Sequence, residues 1–161
     1  MFDDDADGEG GLTPAERRQA VYANALRLLV RREHSRSELG HKLDKRGYHG
    51  GDIEAALDRL ADEGYLSDAR FAELYAEQRV AKGFGPLRVK ADLVSRGVDS
   101  GQAQHAVDAL DADWSGAALN VLLAKCAPSD GYAKLRRTLE QRGFAASAAR
   151  AAIAEFQGGQ R

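Results

Sequence analysis

The sequence predicts an all-α protein of three tandem three-helix repeats that form an elongated, curved array. Apolar residues recur at helical spacing along the 161-residue chain, and no stretch alternates apolar and polar residues as a strand would. The chain also repeats internally, because the dipeptide Arg-Gly begins at Arg46, Arg96 and Arg142, with spacings of 50 and 46 residues. Short joints between such repeats favour close stacking of neighbours.

Each Arg-Gly is predicted to end the middle helix of its repeat. Glycine just past a helix can take the left-handed conformation that closes the last turn, and a preceding basic residue complements the negative end of the helix dipole. Apolar residues keep common offsets from the three dipeptides and are expected in the core. They are Leu39, Val89, Leu135, Leu43, Leu93, Leu139, Ala56, Ala106, Ala152, Leu57, Val107, Ile153, Leu60, Leu110 and Phe156, with Val30, Val80 and Cys126 further upstream.

Helix starts agree with this register. Residues 13–16 and 35–38 have the sequence of a capping box, and Pro86 stands where the first residue of a helix is expected. Residues 130–131 precede the corresponding helix of the third copy. The predicted boundaries are a disordered acidic tail at 1–12, repeats at 13–64, 65–110 and 111–156, and a flexible C-terminus at 157–161.

The formal charge of -2 averages regions of opposite sign. Five acidic residues lie within positions 1–9, which leaves 20 acidic and 23 basic residues in the body. The predicted middle helices, 36–46, 86–96 and 132–142, carry net charges of +2, +2 and +3. Such a basic stripe could contact nucleic-acid phosphates or an acidic protein surface, and the alternative is a solvated polar face.

Thirteen residues are candidates for binding a protein partner or DNA. Most are cations of the middle helices, and the others lie at or near the turn that precedes the second of these helices. They are Arg36, Lys42, Lys45, Arg46, Arg79, Lys82, Phe84, Arg88, Lys90, Arg96, Lys134, Arg136 and Arg137.

The turn from Lys82 to Arg88 is glycine-rich and lies between two cations at a helix N-terminus. Free amides and the positive end of the helix dipole make it a candidate anion site. It lacks the Gly-Lys-Ser/Thr of a nucleotide-binding P-loop. The alternative is an ordinary turn between helices in which Phe84 packs inward.

The sequence gives no sign of catalysis, of a metal or of a cofactor. The single Cys126 excludes an internal disulfide and a multi-cysteine zinc site. His34, His41, His49 and His105 lack metal-ligand spacing and are expected at the surface. Recognisable spacings of a nucleophile and base, or of paired catalytic carboxylates, are absent. The lack of these spacings predicts a non-enzymatic protein. An acidic N-terminus and the lack of long apolar runs predict a cytoplasmic location.

Several segments resemble the RecX family of bacterial regulatory proteins. Residues 64–72 (Gly-Tyr-Leu-Ser-Asp-Ala-Arg-Phe-Ala), 82–86 (Lys-Gly-Phe-Gly-Pro) and 93–98 (Leu-Val-Ser-Arg-Gly-Val) are similar to its central signature. Residues 32–39 with 43–48 resemble its N-terminal signature, and residues 139–144 its C-terminal one. The resemblance covers about residues 15–156 and leaves out the acidic tail.

The resemblance implies an all-helical protein of three tandem three-helix repeats that regulates the recombinase RecA in recombination, DNA repair and the SOS response. Family members bind the groove of the RecA filament on DNA and restrain its strand exchange, ATP hydrolysis and co-protease activity. DNA binding is also attributed to them. This chain departs in its third repeat, where the loop at 127–131 carries no basic residue.

Two functions remain open at the level of sequence. The first is a monomeric regulator that lays its repeats along a RecA–DNA filament, with weak binding to single- or double-stranded DNA. The second is a sequence-independent DNA-binding helical module that affects RecA indirectly.

Overall fold

The computed structural model describes residues 11–159, and the all-α prediction is confirmed within that range. This part of the chain contains nine helices and no strand. The helices are α1 (Pro14–Arg31), α2 (Arg36–Asp44), α3 (Gly50–Asp62), α4 (Asp68–Ala81), α5 (Pro86–Ser95), α6 (Ser100–Asp108), α7 (Trp114–Lys125), α8 (Tyr132–Gln141) and α9 (Ala146–Gly158). None of them is long and apolar enough to cross a bilayer.

The buried residues form three hydrophobic clusters, and each draws on three consecutive helices. The first cluster contains residues of α1, α2 and α3, the second residues of α4, α5 and α6, and the third residues of α7, α8 and α9. We refer to these sets as the first, second and third helix groups. Trp114 packs against both the second and the third cluster.

The chain divides into two compact units. The first unit comprises the described residues up to Arg32 together with 39–66, and the second comprises 33–38 together with the described residues from Ser67 onward. In the first unit α1 packs against α3. In the second unit α4 and α5 pack against α6, and α7 and α8 pack against α9. The second and third helix groups therefore lie in one unit.

Local signals explain most helix starts. Thr13 and Glu16 form the predicted capping box, in which the amide of Thr13 donates to the Glu16 carboxylate at 2.7 Å and the amide of Glu16 to the Thr13 hydroxyl at 3.2 Å. In the second predicted box the amide of Glu38 donates to the Ser35 hydroxyl at 3.1 Å. Pro86 is the first residue of α5, where its missing N–H costs no helical hydrogen bond.

The three Arg-Gly dipeptides close their helices in the same way. Gly47, Gly97 and Gly143 have φ of +83°, +83° and +85°. Each glycine amide donates to the carbonyl three residues back, and the next amide donates to the carbonyl five back. This pair of bonds is the Schellman motif, so the prediction that each dipeptide ends a helix is confirmed.

One core prediction and one surface prediction are wrong. Val30 is 81% exposed, because α1 buries Leu28, and a side chain two positions further along a helix points about 200° away. His34 is 1% exposed instead of lying at the surface, whereas His41, His49 and His105 are exposed as predicted. Val80 and Cys126, which the same offset predicts as core residues with Val30, are partly buried against their clusters.

The structure describes the predicted terminal segments only in part. Helix α9 continues to Gly158, so the flexible C-terminus predicted from residue 157 does not include residues 157–158. The predicted acidic tail at 1–12 lies outside the described residues except for Gly11 and Leu12, which are not helical.

Candidate interaction surface

The turn between α4 and α5 is the centre of the candidate surface. Helix α4 ends at Ala81, Gly83 takes a φ of +82°, and Gly85 is the N-cap of α5. The amides of Gly83 and Phe84 bond back to the carbonyls of Val80 and Arg79 at 2.9 and 3.1 Å. The turn is therefore another Schellman motif, and it fixes the main-chain position of Phe84.

The end of α8 packs directly on this turn. The amide of Gly85 donates to the Arg142 carbonyl at 2.7 Å, and the amide of Leu87 donates to the Gly143 carbonyl at 3.0 Å. In return the Arg142 guanidinium donates to the carbonyls of Lys82 and Gly83 at 3.1 and 3.2 Å. These four hydrogen bonds join the second and third helix groups within the second unit.

The predicted anion site is wrong for this reason. Two of the amides at the start of α5 already donate to main-chain carbonyls of residues 142 and 143. There is also no space above them, because a Cβ on Gly143 would overlap the main chain and Cβ of Arg88. The partial positive charge of this helix end is thus met by carbonyl oxygens of the same chain.

Phe84 packs inward, which is the alternative that the sequence left open. Its ring is half-buried against the second cluster, and three guanidinium groups surround it. The Arg79 guanidinium lies 3.8 Å from the ring centroid, that of Arg142 5.0 Å and that of Arg88 5.8 Å. Cation–π attraction and burial therefore account for Phe84 within the fold.

Arg79 and Arg88 share a single carboxylate. Asp92 lies 3.3 Å from the Arg79 guanidinium and 3.0 Å from that of Arg88. The Nε of Arg79 is buried and has no hydrogen-bond partner in the described part of the chain, and the guanidinium lies against the face of Phe84. Arg79 and Arg88 thus already have partners inside the second unit.

Arg96, at the end of α5, makes a comparable joint with residues 33–38. Its carbonyl accepts from the Ser35 hydroxyl at 2.6 Å, and its guanidinium pairs with Glu38 and lies 4.8 Å from the Tyr75 ring centroid. Desolvation lowers the pKa of Arg96, but hydrogen bonds to Tyr75 and Glu38 raise it by more, so the side chain stays cationic. Ser35, which forms part of this joint, and the adjacent His34 are both buried.

The remaining candidate cations fall into two sets. The first set lies on α8, where Lys134 pairs with Asp130 in the turn before the helix and Arg136 pairs with Glu140, each at 2.8 Å. Ion pairs at the protein surface contribute little to stability, so another anion can replace the carboxylate. The second set contains the other seven candidate cations. The Arg36 amide donates to Asp68, and the Arg46 guanidinium donates to the side chain of Asn24. Lys42 is half-buried. The other four form no ion pair among the described residues: Lys45, Lys82, Lys90 and Arg137.

A cleft beside the turn contains two cations that the sequence analysis did not select. It has a volume of about 430 Å³, and Lys82, Lys125 and Arg142 line it together with Asn120 and small apolar side chains of α4 and α7. Lys125 is the only basic residue of α7, so no run of charge distinguishes it. The signal for Arg142 was the Arg-Gly repeat, but that pattern indicated only a helix end.

Comparisons with known proteins agree with this architecture. The family model "RecX, first three-helix domain" matches residues 22–60, and "RecX, second three-helix domain" matches residues 67–107. A protein named Regulatory protein RecX from Halorhodospira halophila is 40% identical over 141 residues, which cover 84% of this chain and 88% of that protein. One of the same name from Chromohalobacter salexigens is 44% identical over 126 residues, or 75% and 82% of the two chains.

Solved structures show the same fold. A crystal structure of RecX from Lactobacillus salivarius superposes with a TM-score of 0.74 at 23% identity and covers 88% of this chain and 97% of that one. Another structure of regulatory protein RecX gives a TM-score of 0.76 at 16% identity, with 88% and 75% coverage.

The fold and the surface together define an all-helical protein of three-helix groups with basic residues on its middle helices. Among the described residues no cluster of three or more His, Cys, Asp or Glu side chains could hold a metal ion. The chain belongs to the RecX family of regulatory proteins.

Proposed function

We propose that this chain is a cytoplasmic, non-enzymatic regulator of the RecA recombinase that binds the groove of the RecA–DNA filament as a monomer. Through that contact it modulates ATP hydrolysis, strand exchange and co-protease activity in recombination and the SOS response. The three helix groups act as tandem repeats that each add a modest contact. Family membership supports the class of function, and the surface supports the mode of binding.

One observation carries the mode of binding. Each helix group has an exposed or half-buried cation on its middle helix or directly after it that forms no ion pair with any residue of 11–159. These cations are Lys45 after α2, Lys90 on α5 and Arg137 on α8. Lys82, in the turn before α5, adds a fourth. Cations of this kind can approach DNA phosphates or acidic protein groups without first breaking an internal pair.

Multivalency explains how several weak contacts together give tight binding to a filament. Each group contributes a small salt-sensitive attraction, and the second and third contacts become intramolecular once the first has formed. The affinity for a long filament therefore exceeds that of any single group, and it should fall steeply as ionic strength rises.

The first prediction tests this mode with charge reversal at Lys82→Glu and Lys90→Glu in one chain. Arg88 is left intact, because it pairs with Asp92 and its loss would disturb the fold. We expect affinity for RecA filaments on single-stranded DNA to fall about tenfold or more at low salt, because two attractive contacts become repulsive. The measurement is inhibition of the RecA ATPase together with affinity for the same DNA alone.

The matched control is Arg27→Glu with Arg150→Glu. Both residues are exposed and lie outside the middle helices. The control also replaces two cations by glutamate, so its change in net charge is the same. Equal losses in the two variants would mean that only net charge matters. Inhibition by the unchanged protein only at concentrations that coat the DNA would instead support the sequence-independent DNA-binding module.

A further inference from the structure

The solvent-facing side of α5 carries an apolar stripe that the fold does not use. Leu87 is 59% exposed and Val94 is 45% exposed, and Ala91 between them is exposed as well. Spacings of four and three residues place these side chains along one line of the helix. We call Leu87, Ala91 and Val94 the α5 stripe. The core face of the same helix is separate, because Val89 and Leu93 are fully buried.

The other two middle helices show that a three-helix group does not need this stripe. Counting back from each Arg-Gly, the matching positions hold Ser37, His41 and Asp44 in α2, and Ala133, Arg137 and Glu140 in α8. Five of these six residues are polar or charged, and the helices form in the same way. The apolar character of the stripe is therefore specific to α5, and folding does not explain it.

The stripe is held in a fixed orientation and has a positive border. The amide of Leu87 donates to the Gly143 carbonyl at 3.0 Å, which anchors the first turn of α5. Lys90 lies on one side of the stripe and Arg88 on the other, as the helical period of 3.6 residues requires. Asp92, the only acidic residue of α5, already pairs with Arg79 and Arg88.

The charge and polarity of the α5 stripe and its border indicate which kind of partner it binds. A phosphate backbone offers nothing for three apolar side chains to bury, and exposed apolar surface with a polar border is typical of protein interfaces. A second copy of the chain in two-fold symmetry would place the Lys90 side chains near each other. We infer that the α5 stripe docks on an apolar patch with an acidic border on the protein subunits of the filament. This inference rests on the function proposed above.

The second prediction tests the docking with the uncharged variant Leu87→Ser with Val94→Ser. Serine stands at the first of these positions in α2, and the amide of residue 87 remains available to Gly143. The control is Val30→Ser with Leu123→Ser, which exchanges the same residue types at exposed helical positions elsewhere. We expect binding to RecA filaments assembled on single-stranded DNA to weaken tenfold or more for the first variant and less than twofold for the control.

Binding to the same single-stranded DNA alone and sedimentation of the free protein complete the experiment. The inference requires unchanged DNA affinity and an unchanged monomer in the stripe variant. It is overturned if filament affinity stays within twofold of the parent, if DNA affinity falls by the same factor, or if the parent forms a dimer that the variant loses. Failure of the parent itself to bind filaments is a separate result, which refutes the proposed function and the assigned occupant together.

Discussion

Arg46-Gly47 and Arg142-Gly143 are the same dipeptide in the same helix-ending motif, yet their surroundings differ. Gly47 is exposed, and a Cβ added there would meet nothing within 4 Å. Gly143 is buried, and a Cβ there would overlap the main chain of Arg88. The Arg46 guanidinium donates to the Asn24 side chain on the surface of the first unit, whereas that of Arg142 donates to the carbonyls of Lys82 and Gly83.

The difference shows that one sequence pattern serves two purposes. In α2 the dipeptide ends a helix, and the left-handed glycine is all that it requires. In α8 it ends the helix and also joins the third helix group to the second. The glycine there is needed for its φ and for its lack of a side chain, because two main chains approach each other at that point.

The largest expected effect on stability comes from replacing each glycine by alanine. The comparison separates the requirement for a left-handed φ from the requirement for no side chain. Gly47→Ala introduces only left-handed strain and should lower the free energy of unfolding by about 1–2 kcal/mol. Gly143→Ala adds the clash with Arg88 to that strain, and we expect a loss of roughly 3 kcal/mol or more. Urea denaturation followed by circular dichroism measures both variants. Equal losses would show that the close approach at Gly143 relaxes without cost.

The sequence predicted the local part of this comparison and missed the rest. Helix ends at Gly47 and Gly143 and the core positions Leu43 and Leu139 follow from spacings within one or two turns, which sequence periodicity records directly. The joint depends on a contact between Arg142 and Lys82, which are 60 residues apart. No local pattern reports a contact at that distance along the chain.

The same limit explains the failed prediction of an anion site. A free helix N-terminus at the start of α5 would bind an anion, but the amides of Gly85 and Leu87 donate to carbonyls at the end of another helix. Arg79 and Phe84 pack on each other, and their predicted role in binding a partner stays a prediction. Lys82 and Lys90, in contrast, have no ion pair among the described residues, so the structure sharpens the candidate set without testing it.

An intermediate effect is expected from the arginine side chains of the two dipeptides. Arg142→Gln removes the hydrogen bonds to two carbonyls and a cation near Phe84. We expect the free energy of unfolding to fall by about 1–3 kcal/mol. Arg46→Gln changes an exposed side chain and should cost less than about 0.5 kcal/mol. Thermal denaturation of both variants is the test. Similar midpoints for the two would mean that the hydrogen-bonded main chain at Gly85 and Leu87 holds the joint alone.

The smallest expected effect concerns the turn before α8. In the third helix group this turn corresponds to the turn before α5 in the second helix group, which the end of α8 contacts. No described residue approaches Gly131 as residues 142 and 143 approach Gly85, and a local network closes the turn instead. The Asp130 carboxylate accepts from Lys134 and from the Ala127 amide, both at 2.8 Å, and these bonds lower the pKa of Asp130, with the lysine contributing more.

Because the folded chain has the lower pKa, the contribution of Asp130 is present above about pH 4 and is lost as the pH falls through the lowered value. We expect the NMR shift of the Ala127 amide to titrate with a midpoint below about 3.9, the usual value for aspartate. Asp130→Asn should abolish this titration and leave the amides of Gly85 and Leu87 unaffected. A midpoint at or above the usual value would show that the turn is open in solution, and that only turns covered by a neighbouring Arg-Gly are held closed.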